Sequence, residues 1–231
     1  MTETEKIEIK ENLRRIFDAV ADKGVTVVAA TKTVDVERIN YAIECGLRHI
    51  GENRVNELLE KYDGYDKRAK VHFIGQLQRN KVKYIIDKVS LIHSVDSIAL
   101  ADEIEKQAKK HDLVMDVLVE VNIGREESKG GVMPEELDEI LAHISTLEHV
   151  NVRGLMTIGP KIENYENKSH FFSKMSEIFI DISTKNVDNS NMDILSMGMS
   201  SDYLEAVSCG STMIRPGTAL FGKRNYNEIN K

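Results

Sequence analysis

The sequence predicts a single (β/α)8 TIM barrel with an extra helix ahead of its first strand. Two observations carry that reading. Eight short apolar runs rich in β-branched residues alternate with segments of helical period, and no Pro/Ser-rich linker, low-complexity tract or composition shift divides the 231 residues. Barrels of about 200–250 residues are single domains, so residues 1–231 are expected to form one domain. Counting strands does not prove that the sheet closes, and an open doubly wound sheet is the alternative.

The elements follow in order. Leu13, Ile16, Phe17 and Val20 form a helical stripe before the first strand, expected at Val25–Ala30. Gly46 sits where a left-handed residue ends a helix. Strands follow at Leu47–Ile50, Val71–Ile74 and Val89–His93. Asp96 fits the N-cap of a helix carrying Leu100, Ile104 and Ala108. After a strand at Leu113–Val121, Pro134 opens a helix whose stripe is Leu137, Ile140, Leu141, Ile144 and Leu147. The sixth strand is Val150–Met156, followed by a polar loop, Lys161–Ser169, and a helix striped by Phe172, Met175, Phe179 and Ile182. The seventh is Asp193–Met197; Asp202 and Glu205 resemble a capping box, Gly210 ends that helix, and Thr212–Arg215 is the eighth strand.

Composition narrows the function classes. Hydrophobic content of 41% with 30% charged residues is ordinary for a soluble globular protein. A net charge of −7 argues against nonspecific nucleic-acid binding, and the basic cluster Arg79, Lys81 and Lys83 reads as a solvated helix face. Cys45 and Cys209 each precede a glycine, a pattern of helix ends with small buried thiols rather than a disulfide framework. No run approaches the length of a membrane helix, and residues 1–10 are polar and charged. The expected location is the cytoplasm.

Chemistry concentrates at strand ends, where barrel sites lie. Lys32 follows the first apolar run. An amine at the mouth of a buried strand is partly desolvated, which favours its neutral, nucleophilic form and allows condensation with an aldehyde; the plainer reading is a strand-end lysine in solvent. After strand seven, Ser196-Met197-Gly198-Met199-Ser200-Ser201-Asp202 runs into a helix, and after strand eight comes Arg215-Pro216-Gly217-Thr218-Ala219-Leu220-Phe221-Gly222. Small residues let backbone N–H groups approach an anion, with Ser200 and Ser201 adding hydroxyls and Gly217 and Thr218 further donors. Each segment alone reads equally as a glycine turn with a serine cap. Arg215 on strand eight points either at a ligand body or into a buried ion pair. Asn53, after strand two, is a ligand contact or a helix cap. Met156 reads as barrel packing. His72 and His93 lack a third ligand at metal-like spacing and read as packing or hydrogen bonding. No Ser-His-Asp elbow, Walker loop or dinucleotide fingerprint occurs. Pyridoxal phosphate suits the set: an aldehyde for Lys32, a phosphate for the two segments, a ring nitrogen for Arg215.

Ala29-Ala30-Thr31-Lys32-Thr33, Ile50-Gly51-Glu52-Asn53-Arg54-Val55, His72-Phe73-Ile74-Gly75-Gln76-Leu77-Gln78-Arg79-Asn80-Lys81, Val121-Asn122-Ile123, Glu127-Ser128-Lys129-Gly130-Gly131, Gly154-Leu155-Met156-Thr157-Ile158 and the two anion segments together resemble the pyridoxal phosphate homeostasis protein family, in order and across nearly the whole chain. The resemblance implies a single barrel like the amino-terminal domain of alanine racemases. It implies pyridoxal 5′-phosphate held as an internal aldimine on Lys32, with phosphate at Ser200, Gly217 and Thr218, Asn53 near the ring and Arg215 at the ring nitrogen. Ser201 is added from the helix-start argument. The family is regarded as a carrier and regulator of vitamin B6, affecting amino-acid and keto-acid pools, without established turnover. Apo-enzymes dependent on pyridoxal phosphate are the expected recipients, nucleic acid and membrane are not expected partners, and a monomer is expected. Two departures stand out: Gln76 where the family often has His, and Pro216 in place of an aliphatic residue, which removes one backbone donor.

The alternative is a racemase-like enzyme. Two-base racemisation needs a second acid/base opposite the lysine, which the resembled racemases take from a tyrosine in a separate carboxyl-terminal domain. Here the sequence ends nine residues after Gly222 (231 − 222), so no such domain is expected. A barrel scaffold that binds only a protein partner would leave Lys32 and the anion segments unexplained.

Overall fold

The computed structural model describes residues 1–159, 165–185 and 190–222. Its strands are β1 (Thr26–Ala30), β2 (His49–Glu52), β3 (Lys70–Phe73), β4 (Leu91–Val95), β5 (Met115–Glu120), β6 (Val150–Met156), β7 (Ser190–Met199) and β8 (Met213–Arg215). All neighbours pair in parallel, and β8 returns to β1, so the sheet closes and the open alternative falls away.

The helices are α1 (Glu3–Val20), α2 (Val36–Glu44), α3 (Val55–Lys61), α4 (Val82–Ile85), α5 (Ile98–Lys110), α6 (Leu137–Ile144), α7 (Tyr165–Thr184), α8 (Tyr203–Ser208) and α9 (Thr218–Phe221). The extra helix α1 starts from a capping box between Thr2 and Glu5 and buries Ile9, Leu13, Ile16 and Val20. It packs against α2 and the short α9, and Asn12 donates to the Leu220 carbonyl at 3.1 Å. Each fully buried aliphatic side chain of that stripe contributes about 1.5–3 kcal/mol, so a charged residue at Leu13 would detach α1.

Two apolar layers build the core. One lies between sheet and helices, where alternate strand residues such as Val27, Ala29, Ile50, Phe73, Val117 and Leu195 meet the helix stripes. The other fills the barrel interior with Val28, Ile74, Leu91, Leu118, Met156 and Met213. Met156 is thus barrel packing, as its sequence position suggests.

Several local expectations shift. Ser97, not Asp96, holds the N-cap position of α5; the Asp96 carboxylate instead accepts from the Ser97 hydroxyl at 3.3 Å. The expected loop at Lys161–Ser169 is helical from Tyr165 onward, and residues 160–164 lie outside the described residues. Asp202 occupies the N-cap position of α8 without a side-chain cap, because its carboxylate turns back to accept from the Met199 N–H at 2.7 Å. Cys45 and Cys209 end α2 and α8 as free thiols, half-buried rather than buried.

Candidate functional site

Lys32 leaves β1 in a tight turn. Thr33 adopts φ 63° there, a left-handed conformation that costs a β-branched residue energy. Buried polar contacts hold the turn in place. The Glu52 carboxylate, fully buried at the end of β2, accepts at Oε1 from Thr31 Oγ1 (2.7 Å), Lys61 Nζ (3.1 Å) and Tyr65 OH (2.7 Å). Lys61 also donates to the Thr31 carbonyl at 3.1 Å, and the Thr33 N–H donates to Glu57 at 2.8 Å. Burial alone would raise the Glu57 carboxyl; the Thr33 N–H and the Lys61 ammonium outweigh it and lower its pKa. Burial, then the neighbouring Glu52 charge, raises the Tyr65 phenol. Lys32 itself is half-buried and has no hydrogen bond or ion pair with any described residue.

Across the mouth, Ser200 Oγ accepts from the backbone N–H groups of Gly217 (2.9 Å) and Ala219 (3.0 Å). Two main-chain donors therefore converge on one oxygen, the arrangement an anion's oxygen requires. Ahead of Ser200, Gly198 lets β7 run close under α8: at φ 95°, a Cβ there would lie 2.6 Å from the Ala206 Cβ. Pro216 cannot donate, but its carbonyl accepts from the Ala30 N–H at 2.8 Å and ties this loop to β1. Thr218 is exposed beside the cradle, and the donor that joins Gly217 is Ala219, whose main chain leaves no trace in side-chain patterning. Ser201 donates to Asp202 at 3.2 Å.

Arg215, on β8, is buried inside the barrel, where NH1 donates to Ser196 Oγ at 2.5 Å and NH2 to the Thr157 carbonyl at 2.9 Å. Burial lowers its pKa to about 10, against the attraction of Glu120 and Asp202, so it stays charged at neutral pH. Among the described residues it makes no close ion pair. Glu120, the last residue of β5, is buried, and its carboxylate has no hydrogen bond to a described residue. Burial pushes its carboxyl up to about 7, opposed by Arg215 and reinforced by Asp96.

A cavity of about 280 Å³ at the carboxyl end of the barrel is lined by Lys32, Asn53, Ser200, Ser201, Arg215, Gly217 and Thr218, together with Ala30, Ile74, Ile158 and Met199. All seven residues singled out in the sequence therefore meet in one place. Asn53 Oδ1 is buried there without a partner, and its main chain is approached so closely that a Cβ on Gly75 would lie 2.2 Å from the Asn53 carbonyl. Gln76 is exposed and faces a separate, wider depression beside α5. That depression, of about 880 Å³, gathers neither Lys32 nor the anion donors. Among the described residues no group of three or more His, Cys, Asp or Glu could hold a metal ion, and no helix is long and apolar enough to cross a membrane.

The family model for the alanine racemase amino-terminal domain matches residues 6–225. A pyridoxal phosphate homeostasis protein of Aquifex aeolicus is 48% identical over 226 residues, covering 94% of this chain and 98% of that one. This chain belongs to the pyridoxal phosphate homeostasis protein family. PipY of Synechococcus elongatus, solved with pyridoxal phosphate bound, superposes with a TM-score of 0.83 at 31% identity, covering 93% of this chain and all of PipY. A Clostridium difficile alanine racemase shares the fold alone, at 16% identity and a TM-score of 0.78, with 57% of its length covered.

The residues present fit the cofactor that PipY carries. The cavity holds a primary amine and an amide oxygen that have no partner among the described residues, a buried guanidinium and a two-donor cradle, and its volume lies near the low end of the roughly 300–1,000 Å³ usual for ligand pockets. Sequence reasoning missed Ala219 and the buried contacts of Glu52, Lys61 and Tyr65. Glu52 stood in plain view beside Asn53, and the signal was an acidic residue ending a strand that is otherwise buried.

Proposed function

We propose that this protein binds pyridoxal 5′-phosphate at the carboxyl end of its barrel and serves as an intracellular carrier and regulator of that cofactor, without catalytic turnover. Bound there, the cofactor supplies an aldehyde that condenses reversibly with a primary amine. Lys32 provides the amine, since it has no competing partner and sits on a turn fixed by Glu52 and Glu57. Ser200, Ser201, Gly217 and Thr218 hold the phosphate, with Ala219 N–H as a further donor. Asn53 turns its orphaned oxygen to the ligand, and Arg215 donates to the ring nitrogen. The observation that carries the reading is the gathering of these groups on one small cavity.

Carriage is favoured over racemisation by the cavity wall. Among its described lining residues, Lys32 is the one side chain able to act as a base; no tyrosine, histidine or carboxylate faces it from the other side. The same reading takes residues 1–231 as one domain, a monomer in the cytoplasm that hands cofactor to apo-enzymes. Adding pyridoxal phosphate to the purified chain, reducing with borohydride and mapping the mass increment by peptide mass spectrometry tests it. The increment is expected on Lys32 and absent from Lys32→Ala; an increment on another lysine, or none, overturns the assignment. Absence of α-proton exchange with amino acids in the loaded protein is the expected companion result, and exchange would favour the racemase-like alternative.

A further inference from the structure

Arg215 stands at the upper end of a hydrogen-bonded row that crosses the barrel interior. Arg215 NH1 meets Ser196 Oγ at 2.5 Å, Ser196 Oγ meets His93 Nδ1 at 3.2 Å, and His93 Nε2 meets His72 Nδ1 at 2.9 Å. His72 Nε2 then meets His49 Nδ1 at 3.0 Å. Ser196, His93 and His72 are buried; His49, half-buried, opens onto a second cavity of about 330 Å³ at the amino-terminal end of the barrel. That end ordinarily serves stability alone, and apolar side chains would fill the space without a polar penalty.

Two donor directions satisfy the row, and they differ in which end is left with a free N–H. A guanidinium only donates, so Ser196 Oγ accepts from Arg215; its hydroxyl then either donates to His93 Nδ1 or accepts from it as well. Burial lowers the pKa of His93 far below its usual range and that of His72 to about 3, with neighbouring rings and Arg215 or Lys70 adding to the effect. Both rings are therefore neutral, and when Ser196 donates each carries its one hydrogen on Nε2. His49 then receives at Nδ1 and presents Nε2–H to the lower cavity.

We propose that Ser196, His93, His72 and His49 are positioning residues that orient the Arg215 guanidinium at the ligand cavity and tie that orientation to the protonation state of His49 at the opposite end of the barrel. Protonating His49 places a hydrogen on the nitrogen that accepts from His72. The His72 N–H is then buried without an acceptor, a loss that propagates through His93 and Ser196 to Arg215. Around His49, burial and Lys70 oppose that protonation. Arg153 also borders the lower cavity but is paired with Asp116 at 2.9 Å and Asp193 at 2.5 Å, so among the described residues Lys70 is the cation left to act on the ring. The role as a ligand-orienting device rests on the cofactor reading above; the tautomers and their coupling do not.

The test is therefore split. Long-range 1H–15N spectra of the cofactor-free protein report each histidine tautomer and the Arg215 side-chain resonances. At neutral pH, His49, His72 and His93 are expected as neutral Nε2–H rings, and on acidification to about pH 5 the Arg215 signals are expected to move with the His49 midpoint. A hydrogen on Nδ1 of His72 or His93, or Arg215 signals indifferent to His49, overturns the proposal whatever the protein binds. In the second arm the probe is 4′-deoxypyridoxine 5′-phosphate, which lacks the aldehyde and so bypasses Lys32. Its affinity is expected to fall about tenfold further on acidification in the native chain than in His49→Gln, the scale set by one orphaned buried N–H. Equal pH dependence in the two proteins contradicts the coupling, whereas failure of the probe to bind either one contradicts the cofactor reading and leaves the spectra to decide the row.

Discussion

Glu52 and Glu120 each end a barrel strand, β2 and β5, and both are buried, yet their surroundings are opposite. Glu52 turns outward to the helix layer, where a threonine, a lysine and a tyrosine all donate to one of its oxygens. Glu120 turns inward toward Arg215 and has no donor among the described residues. The strand pleat decides which way each side chain points, and the donors waiting there decide what a buried carboxylate becomes. With three donors it is an anchor for the Lys32 turn; with none it is a group that titrates near neutrality. Proximity to a cation is not enough, since Arg215 lies within electrostatic reach of Glu120 and still leaves its pKa at about 7.

The largest effect expected from this contrast is that of Glu52→Ala. Removing one partner of a buried ionic contact leaves the other uncompensated, which costs about 3–5 kcal/mol. Lys61 is the stranded group here, with Glu57 at 3.4 Å as its remaining carboxylate. Urea unfolding should record the loss, and borohydride trapping of pyridoxal phosphate on Lys32 should slow because the turn has lost its support. A loss below about 1 kcal/mol would make Glu52 no more than a surface-like pair and erase its difference from Glu120.

Glu120→Gln should act in the other direction and depend on pH. The folded-state pKa of Glu120, about 7, lies above its ordinary value of 4.5, so the folded chain binds this proton more tightly than the unfolded chain does. Between those two values folding takes up a proton, and stability from this group falls as pH rises through the window. The neutral amide removes that slope. Relative to the native chain, Glu120→Gln should therefore gain about 3 kcal/mol between acidic and mildly alkaline pH, judged from the size of the shift. Thermal unfolding followed across that range measures the gain, and parallel curves for the two proteins would place the Glu120 proton elsewhere.

The contrast also marks what sequence could and could not reveal. The barrel was legible because strand runs and helix stripes are local patterns, and so were Lys32, Ser200, Gly217 and Arg215, which stand on or next to strand ends. Asn53 was visible for the same reason. The donors to Glu52 were not, since Lys61 and Tyr65 reach it from the following helix and turn. The role of Ala219 was hidden because its main chain acts and its side chain carries no signal. For His72 and His93 the sequence leaves packing and hydrogen bonding open; their row depends on inward positions of β2, β3 and β4 lining up and on Ser196 reaching them from β7. Only closure of the sheet brings those positions together.

The finest test of the contrast removes the Glu52 donors one at a time. Tyr65→Phe deletes a 2.7 Å bond from a phenol that burial and Glu52 itself keep protonated. Two donors remain on the carboxylate, so the expected cost is about 1.5 kcal/mol, the low end for a hydrogen bond to a charged group. Lys61→Met alone also leaves two donors, Thr31 and Tyr65. In the double variant only the Thr31 hydroxyl remains, and Glu52 approaches the condition of Glu120. The double loss should therefore exceed the sum of the single losses by about 0.5 kcal/mol or more, within the range found for side chains sharing one network. Strict additivity in a double-mutant cycle would mean that each donor acts alone. The number of donors would then not be what separates the anchoring glutamate from the titrating one.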